Sequence, residues 1–300
     1  MSVVAATWLM LAPAGWQPRP PDPPTVWAEA GSRPWGQCRE LERTAEIAVA
    51  KQSVSSEGPN LWAERARLCP GAPAVLVAAA MVELTQIPNL SPLAELPGEI
   101  PALTESLRQS RKRAAQWLES ARAEASRRGQ APPPMTWVMT AIAAIGLGEP
   151  AKARAALTQA EARAEVEGYR IDRLAAVAAL LSGDLALALD LAHRARERGA
   201  SREQMRTTLI LALVYDRSGA ADAAQRELAL LRPLAASMER MAVDALLPLH
   251  ERLYLAAIEQ IALKNPANAA LLFKGYLACP EPEEAERRLV ERRLAELRPT

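Results

Sequence analysis

A short pattern recurs three times in the middle of the sequence: a Gly is followed, after four intervening residues, by an Ala. The three pairs are Gly148 and Ala153, Gly183 and Ala188, and Gly219 and Ala224. Successive glycines lie 35 residues apart (183 − 148) and 36 residues apart (219 − 183). Self-similarity at a fixed period of this length is typical of helical solenoids, in which each repeat is one supersecondary unit. The spacing therefore predicts an all-α chain built from stacked helix pairs.

The first of these turns lies in GLGEPA, residues 146–151, which also matches the dinucleotide-binding fingerprint. That fingerprint follows a β-strand and opens a helix within a βαβ unit. The preceding segment, MTWVMTAIAAI, has a helical composition, and no alternating strand pattern occurs nearby. Because the motif recurs as a turn, we interpret Gly148 as the hinge between two helices and Pro150 as the start of the second. We predict no nucleotide and no other cofactor.

The composition favours helices and argues against a nucleic-acid partner. Half of the residues are apolar but only 4% are aromatic, with a single Phe, so Ala and Leu must supply most of the core. Ala, Leu, Arg, Glu and Gln are also the strongest helix formers. The formal net charge is +1, whereas a dedicated nucleic-acid binder carries a surplus of basic residues that neutralise phosphates.

The repeats resemble the tetratricopeptide repeat (TPR), a pair of antiparallel helices of about 34 residues. In the first helix of that unit a large residue is followed by a small and then an aromatic one, and the corresponding residues here include Trp137, Ala141, Ala176, Ala179, Ala212 and Tyr215. The terminal Pro of the family's repeat is absent from these units. The resemblance covers roughly residues 105–300 and, more loosely, residues 37–90. It implies a right-handed α-solenoid of antiparallel helix pairs.

The resemblance also implies that a partner binds the concave surface lined by the first helices. The corresponding groove residues are Met135, Val138, Ile142, Arg170, Arg173, Val177, Arg206, Leu209, Leu213 and Asp216. Arginines beside aliphatic side chains suit an extended peptide of acidic character. The alternative is that these residues are simply solvated or lie between repeats. Val138 and Ile142 stand where the chaperone-binding subset of the family has Lys and Asn, so we do not expect that specificity.

No catalytic or metal-binding motif is recognisable. The two histidines, His193 and His250, are far apart, and the three cysteines include no C-x-x-C, so no zinc spacing exists. His193 has no nucleophile implied nearby, and HERLYL at His250 lacks the second His of the metalloprotease pattern. We therefore predict a protein that is not an enzyme and holds no metal.

The N-terminus suggests export. Residues 1–14 contain a short apolar run followed by Ala-Pro-Ala, the small-x-small form of a signal-peptidase site, although no Lys or Arg precedes the run. The run is too short to span a membrane, which takes about 20 residues. Residues 15–36 form a linker rich in Pro and Trp. Cys38 and Cys69 lie at adjoining ends of a predicted helical hairpin, so they either form a disulfide or are two small buried apolar residues.

The remaining organisation follows from the positions of the prolines. We predict an N-terminal helical hairpin or degenerate repeat over 37–91, a Pro-rich linker over 92–104, the solenoid over 105–281 and a charged capping helix over 282–300. The expected function is a non-catalytic scaffold that binds another protein or a peptide in the periplasm or outside the cell. Two alternatives remain: a cytoplasmic adaptor or regulatory module that keeps residues 1–36, and an enzyme with a site between repeats.

Overall fold

The computed structural model describes residues 35–50, 59–85, 97–163, 166–199, 201–231 and 246–297. Within these ranges the chain forms thirteen α-helices and one 3₁₀ turn and has no β-strand, so the prediction of an all-α protein is confirmed. The predicted signal segment 1–14 and the linker up to residue 34 lie outside the described residues. None of the helices that the structure describes combines the length and the apolar character needed to cross a bilayer.

The helices are α1 (Trp35–Ala50), α2 (Pro59–Leu68), α3 (Pro73–Thr85), α4 (Ile100–Arg127), α5 (Met135–Gly146), α6 (Pro150–Glu161), α7 (Gly168–Leu180), α8 (Leu185–Arg198), α9 (Ser201–Arg217), α10 (Ala221–Leu230), α11 (Leu249–Ala262), α12 (Pro266–Ala278) and α13 (Glu284–Glu296). The predicted boundary between the linker 92–104 and the solenoid at residue 105 falls inside α4. That helix starts earlier because Pro101 occupies its first turn, where a missing N–H leaves no hydrogen bond unmade.

The same turn geometry joins the two helices within each of four helix pairs. After α5, Gly148 adopts φ 70°, its N–H donates to the Ile145 carbonyl (3.0 Å), and the Glu149 N–H donates to the Ala144 carbonyl (2.9 Å). This is the Schellman ending, which needs one left-handed residue. The turns after α7 and α9 repeat it at Gly183 and Gly219.

The fourth turn, between α11 and α12, has the same hydrogen bonds but contains no glycine. Lys264 takes the left-handed position with φ 58°, and the Asn265 N–H donates to the Gln260 carbonyl (2.8 Å). It lies 45 residues after Gly219 (264 − 219), so neither its spacing nor its residue type matched the sequence pattern. The unit lies within the predicted solenoid 105–281, although its turn lacks the glycine of the other three.

Each helix pair packs on the next. The first helices α3, α5, α7, α9 and α11 contact one another in succession, and the second helices α6 and α8 each lie between two first helices. Fully buried alanines such as Ala141, Ala153, Ala176, Ala188 and Ala212 lie where these helices meet. Small side chains allow close approach of the helices, which is why a chain with few aromatics still forms a continuous core.

The N-terminal helices belong to the same core. Both α1 and α2 pack on α3, and α3 packs on α4 and α5. A disulfide joins Cys38 in the first turns of α1 to Cys69 just after α2, and both side chains are fully buried. Cys279 is a free, buried thiol whose pKa is raised to about 12, mainly by burial. At the other end of the chain, α12 packs on α13 and also touches α4.

Candidate interaction surface

The aliphatic residues predicted to line the groove lie in the core. Val138, Val177 and Leu213 have no exposed surface, and Leu209 and Ile142 are buried at 4% and 9% exposure. In the described structure these side chains pack between helices and present no open surface to a ligand. A partner would touch them only if the surrounding helices separated.

The polar residues of the predicted groove interact with other residues of the protein or are partly to fully buried. Arg170 pairs with Glu167 (3.2 Å) and contacts the Met135 sulfur (3.7 Å), which links α7 to α5. Arg173 is buried at 5% exposure and Arg206 is half-buried. The structure therefore brings Met135 and Arg170 together at one edge of the first helices.

Asp216, the last predicted groove residue, anchors the C-terminal helix. It is 2% exposed, and its two oxygens accept hydrogen bonds from the Tyr254 hydroxyl (2.5 Å) and from Arg293 of α13 (2.8 Å). Burial, followed by the charge of Asp216, raises the pKa of Tyr254. The predicted capping helix is thus fastened to α9 by a charge pair that spans 77 residues of sequence.

Next to Asp216 lies a buried ion pair that the sequence did not indicate. Arg217 and Glu251 meet at 2.7 Å, and their side chains are only 5% and 2% exposed. Arg217 also donates to the Tyr276 hydroxyl (3.1 Å) and lies 3.9 Å from the centre of the Tyr254 ring. Burial alone would lower the pKa of Arg217, but Glu251 and the two tyrosines outweigh that effect and raise it. These groups hold α9, α11 and α12 together.

Both histidines contact a tyrosine on a neighbouring helix. His193 Nε2 lies 2.9 Å from the Tyr215 hydroxyl, and its Nδ1 faces an Arg196 nitrogen at 3.3 Å. Arginine can only donate, so Nδ1 accepts and Nε2 carries the proton. Arg196 in turn binds Glu227 (2.9 Å). His250 is buried, edge-on to the Tyr276 ring and 3.8 Å from Glu251.

A carboxylate cluster surrounds Arg128 where α1 meets the end of α4. Arg128 donates to both oxygens of Glu42 (3.2 Å), to Glu124 (3.0 Å) and to the Gly71 carbonyl. Glu46 lies beside this group, and burial followed by the negative charge of Glu42 raises its pKa to about 7. Arg128 therefore connects acids of α1 and α4 at the junction of the N-terminal helices with the repeats.

A second cationic group lies at the edge formed by α4, α5 and the end of α6. The indole of Trp137 has the guanidinium of Arg122 at 5.0 Å and that of Arg163 at 6.0 Å from its ring centre. All three side chains are half-buried, so the group reaches the surface. The sequence comparison with the repeat marked only Trp137, because Arg122 lies on α4 and Arg163 lies just after α6.

Within the part of the chain that the structure describes, no group of three or more His, Cys, Asp and Glu side chains is arranged to hold a metal ion. Comparisons of the chain with protein-family models, with curated proteins and with solved structures found no match. The function is therefore inferred from the residues and their geometry alone.

Proposed function

We propose that the protein is a non-catalytic scaffold that binds another protein or a peptide through a TPR-like, right-handed α-solenoid. The observation that best supports this proposal is the turn that joins the two helices within each of four helix pairs. Gly148, Gly183, Gly219 and Lys264 take the left-handed position in these turns. Repeated helix pairs whose first helices stack in succession form extended surfaces suited to a long ligand. The clustered polar residues around Arg217 and Arg128 support packing between helices, which favours a scaffold over an enzyme.

The binding surface of this scaffold lies at the exposed edges of the helices. The central groove positions Val138, Val177 and Leu213 are buried, so a partner first meets half-exposed residues near the starts of α5 and α7. Met135 and Arg170 belong to this edge. Binding deeper in the groove would require the first helices to move apart, at the expense of buried apolar contacts.

We also propose that the protein acts in the periplasm or outside the cell. A buried disulfide between Cys38 and Cys69 supports this location, because structural disulfides persist in oxidising compartments and are rare in the cytosol. The apolar N-terminal run followed by Ala-Pro-Ala points the same way.

Site-specific photo-crosslinking of the full chain in its source cells tests the scaffold function. A photoreactive amino acid at Met135 should capture a discrete partner, whereas the same group at Lys152, 71% exposed on α6, should capture less. The partner is then purified and its binding to the unmodified chain measured. Failure of the purified pair to bind, or turnover of a substrate by the chain, would refute the proposal.

The location is tested separately by blocking free thiols at harvest and sequencing the mature N-terminus. We expect a disulfide-linked peptide containing Cys38 and Cys69 and a chain that starts after residue 14. Reduced thiols together with an intact Met1 would support the cytoplasmic adaptor and leave the scaffold function unaffected.

A further inference from the structure

The Arg122–Trp137–Arg163 group, which we call the Arg–Trp–Arg edge, places two arginines without an ion pair in the described structure beside one indole. Two other partly exposed arginines have a carboxylate partner: Arg127 pairs with Glu124, and Arg170 pairs with Glu167. Neither Arg122 nor Arg163 forms an ion pair with any described residue. Two positive charges therefore flank one indole without a neutralising acid from the described part of the protein.

The edge also contains hydrogen-bond donors and no acceptor for them. The Arg122 Nε and Trp137 Nε1 atoms are buried and have no hydrogen-bond partner among the described residues, so a ligand at the surface meets the terminal nitrogens of the guanidinium first. A guanidinium that lies over an aromatic ring leaves the N–H groups of its planar edge free to bind a carboxylate through two parallel hydrogen bonds. The ligand group that matches such an edge is therefore an anionic hydrogen-bond acceptor.

Trp and Arg are enriched among the interface residues that contribute most of the binding free energy. Here they combine a large apolar ring, two cations and partial exposure where α4, α5 and the end of α6 meet. Arg122 and Trp137 are held on helices, while Arg163 lies in the bend just after α6. The helical positions of two of the three groups reduce the ordering that binding requires.

We propose that the Arg–Trp–Arg edge is a docking point for an acidic segment of a partner protein, whose Asp or Glu carboxylates pair with Arg122 and with Arg163 beside Trp137. This inference rests on the proposed scaffold function and adds to it the location and the chemical class of the partner segment.

Binding of short labelled peptides to the oxidised full chain tests the proposal by fluorescence anisotropy. The probes are a peptide that alternates Asp and Glu and a peptide of equal length that alternates Asn and Gln. We expect at least tenfold tighter binding of the acidic peptide at low salt, and a loss of most of this preference when Arg122→Gln and Arg163→Gln are combined. The Trp137→Leu variant should weaken binding with the charges retained.

The matched control combines Arg226→Gln and Arg292→Gln. Both are exposed arginines on other helices and form no ion pair with described residues, so the net charge changes equally. An equal loss of binding in the control, or equal binding of the two peptides to the unmodified chain, overturns the docking point. Circular dichroism spectra check that all variants remain folded.

The crosslinked natural partner separates this inference from the scaffold function. If that partner binds the Arg122→Gln/Arg163→Gln variant as tightly as the unmodified chain, the docking point is wrong and the scaffold function stands. If the acidic peptide binds selectively but no natural partner exists, the docking point stands and the scaffold function fails.

Discussion

Replacing Arg217 by Met and Glu251 by Leu, singly and together, measures how the buried ion pair stabilises the C-terminal helices. The pair is 2.7 Å apart and its side chains are 5% and 2% exposed, so each single variant leaves one charge buried without its counterion. An uncompensated buried charge costs about 3–5 kcal/mol of the free energy of unfolding. Arg217→Met should lie at the upper end, because it also removes the cation–π contact with Tyr254, worth roughly 0.5–2 kcal/mol.

The double variant removes both charges and leaves apolar side chains of similar volume. Such replacements are often close to neutral, so we expect a loss below about 2 kcal/mol, much less than the sum of the single losses. The difference is the coupling free energy that a double-mutant cycle reports. Urea unfolding followed by far-UV circular dichroism measures it: with a denaturant slope of about 3 kcal/mol per molar, each single variant should unfold at a midpoint at least about 1 M lower.

An exposed ion pair of nearly the same length supplies the control. Arg288 and Glu284 on α13 are 2.9 Å apart, but their side chains are 72% and 71% exposed. Solvent screening makes such pairs contribute little, so Arg288→Met and Glu284→Leu should barely change the midpoint. Additive losses at Arg217 and Glu251, or equal effects at the exposed pair, would show that burial of the charges is not the cause.

Three further predictions concern the repeat turn, the disulfide and the acid cluster. Lys264→Gly should stabilise the protein by about 0.5–1 kcal/mol in thermal or urea unfolding, because a non-glycine residue with φ 58° is strained. Gly183→Ala should destabilise the protein by a similar amount, because it places a side chain in the same left-handed position. Unchanged stability of both variants would contradict a turn geometry common to the two sites. Reducing the Cys38–Cys69 bond, or replacing both cysteines by Ser, should cost roughly 3–4 kcal/mol, the loop-closure entropy of a cross-link that spans 31 residues; intact stability in denaturant under reducing conditions would exclude this role. Because the pKa of Glu46 is raised from 4.5 to about 7, the folded state binds more protons than the unfolded state between these values, so this group makes stability fall as pH rises from 4.5 through 7. Glu46→Gln should therefore flatten that decline and exceed the unmodified protein in stability at pH 8, and a parallel pH dependence of both proteins would refute the assignment.

The repeat turns show how far local sequence information reaches. Gly148, Gly183 and Gly219 were recognisable because a left-handed helix ending disfavours a side chain, and that preference acts within a few residues. Lys264 forms the same turn at a different interval, and its residue type argues against the left-handed conformation. The Gly pattern therefore did not mark this turn, although the helices on either side of it lie within the predicted solenoid 105–281.

The predicted groove shows what the local sequence pattern cannot predict. The repeat resemblance located Val138, Val177 and Leu213 on first helices, but their complete burial depends on which other segments pack against them. Leu247, also fully buried, illustrates this, since its carbonyl accepts a hydrogen bond from Arg111 of α4, 136 residues earlier. No periodic pattern encodes a contact of that separation.

By itself the sequence determined that this chain is helical, where three of its helix pairs turn, and which small residues allow those helices to approach. These properties follow from backbone preferences and from side-chain volume, which act over a few residues. Only the tertiary structure decided that Arg217 and Glu251 form a buried ion pair, that Asp216 fastens α13, and that Arg122 and Arg163 both lie beside Trp137. Such contacts depend on helices that are distant in sequence and meet only when the chain has packed, because electrostatic and aromatic interactions require proximity in space rather than along the chain.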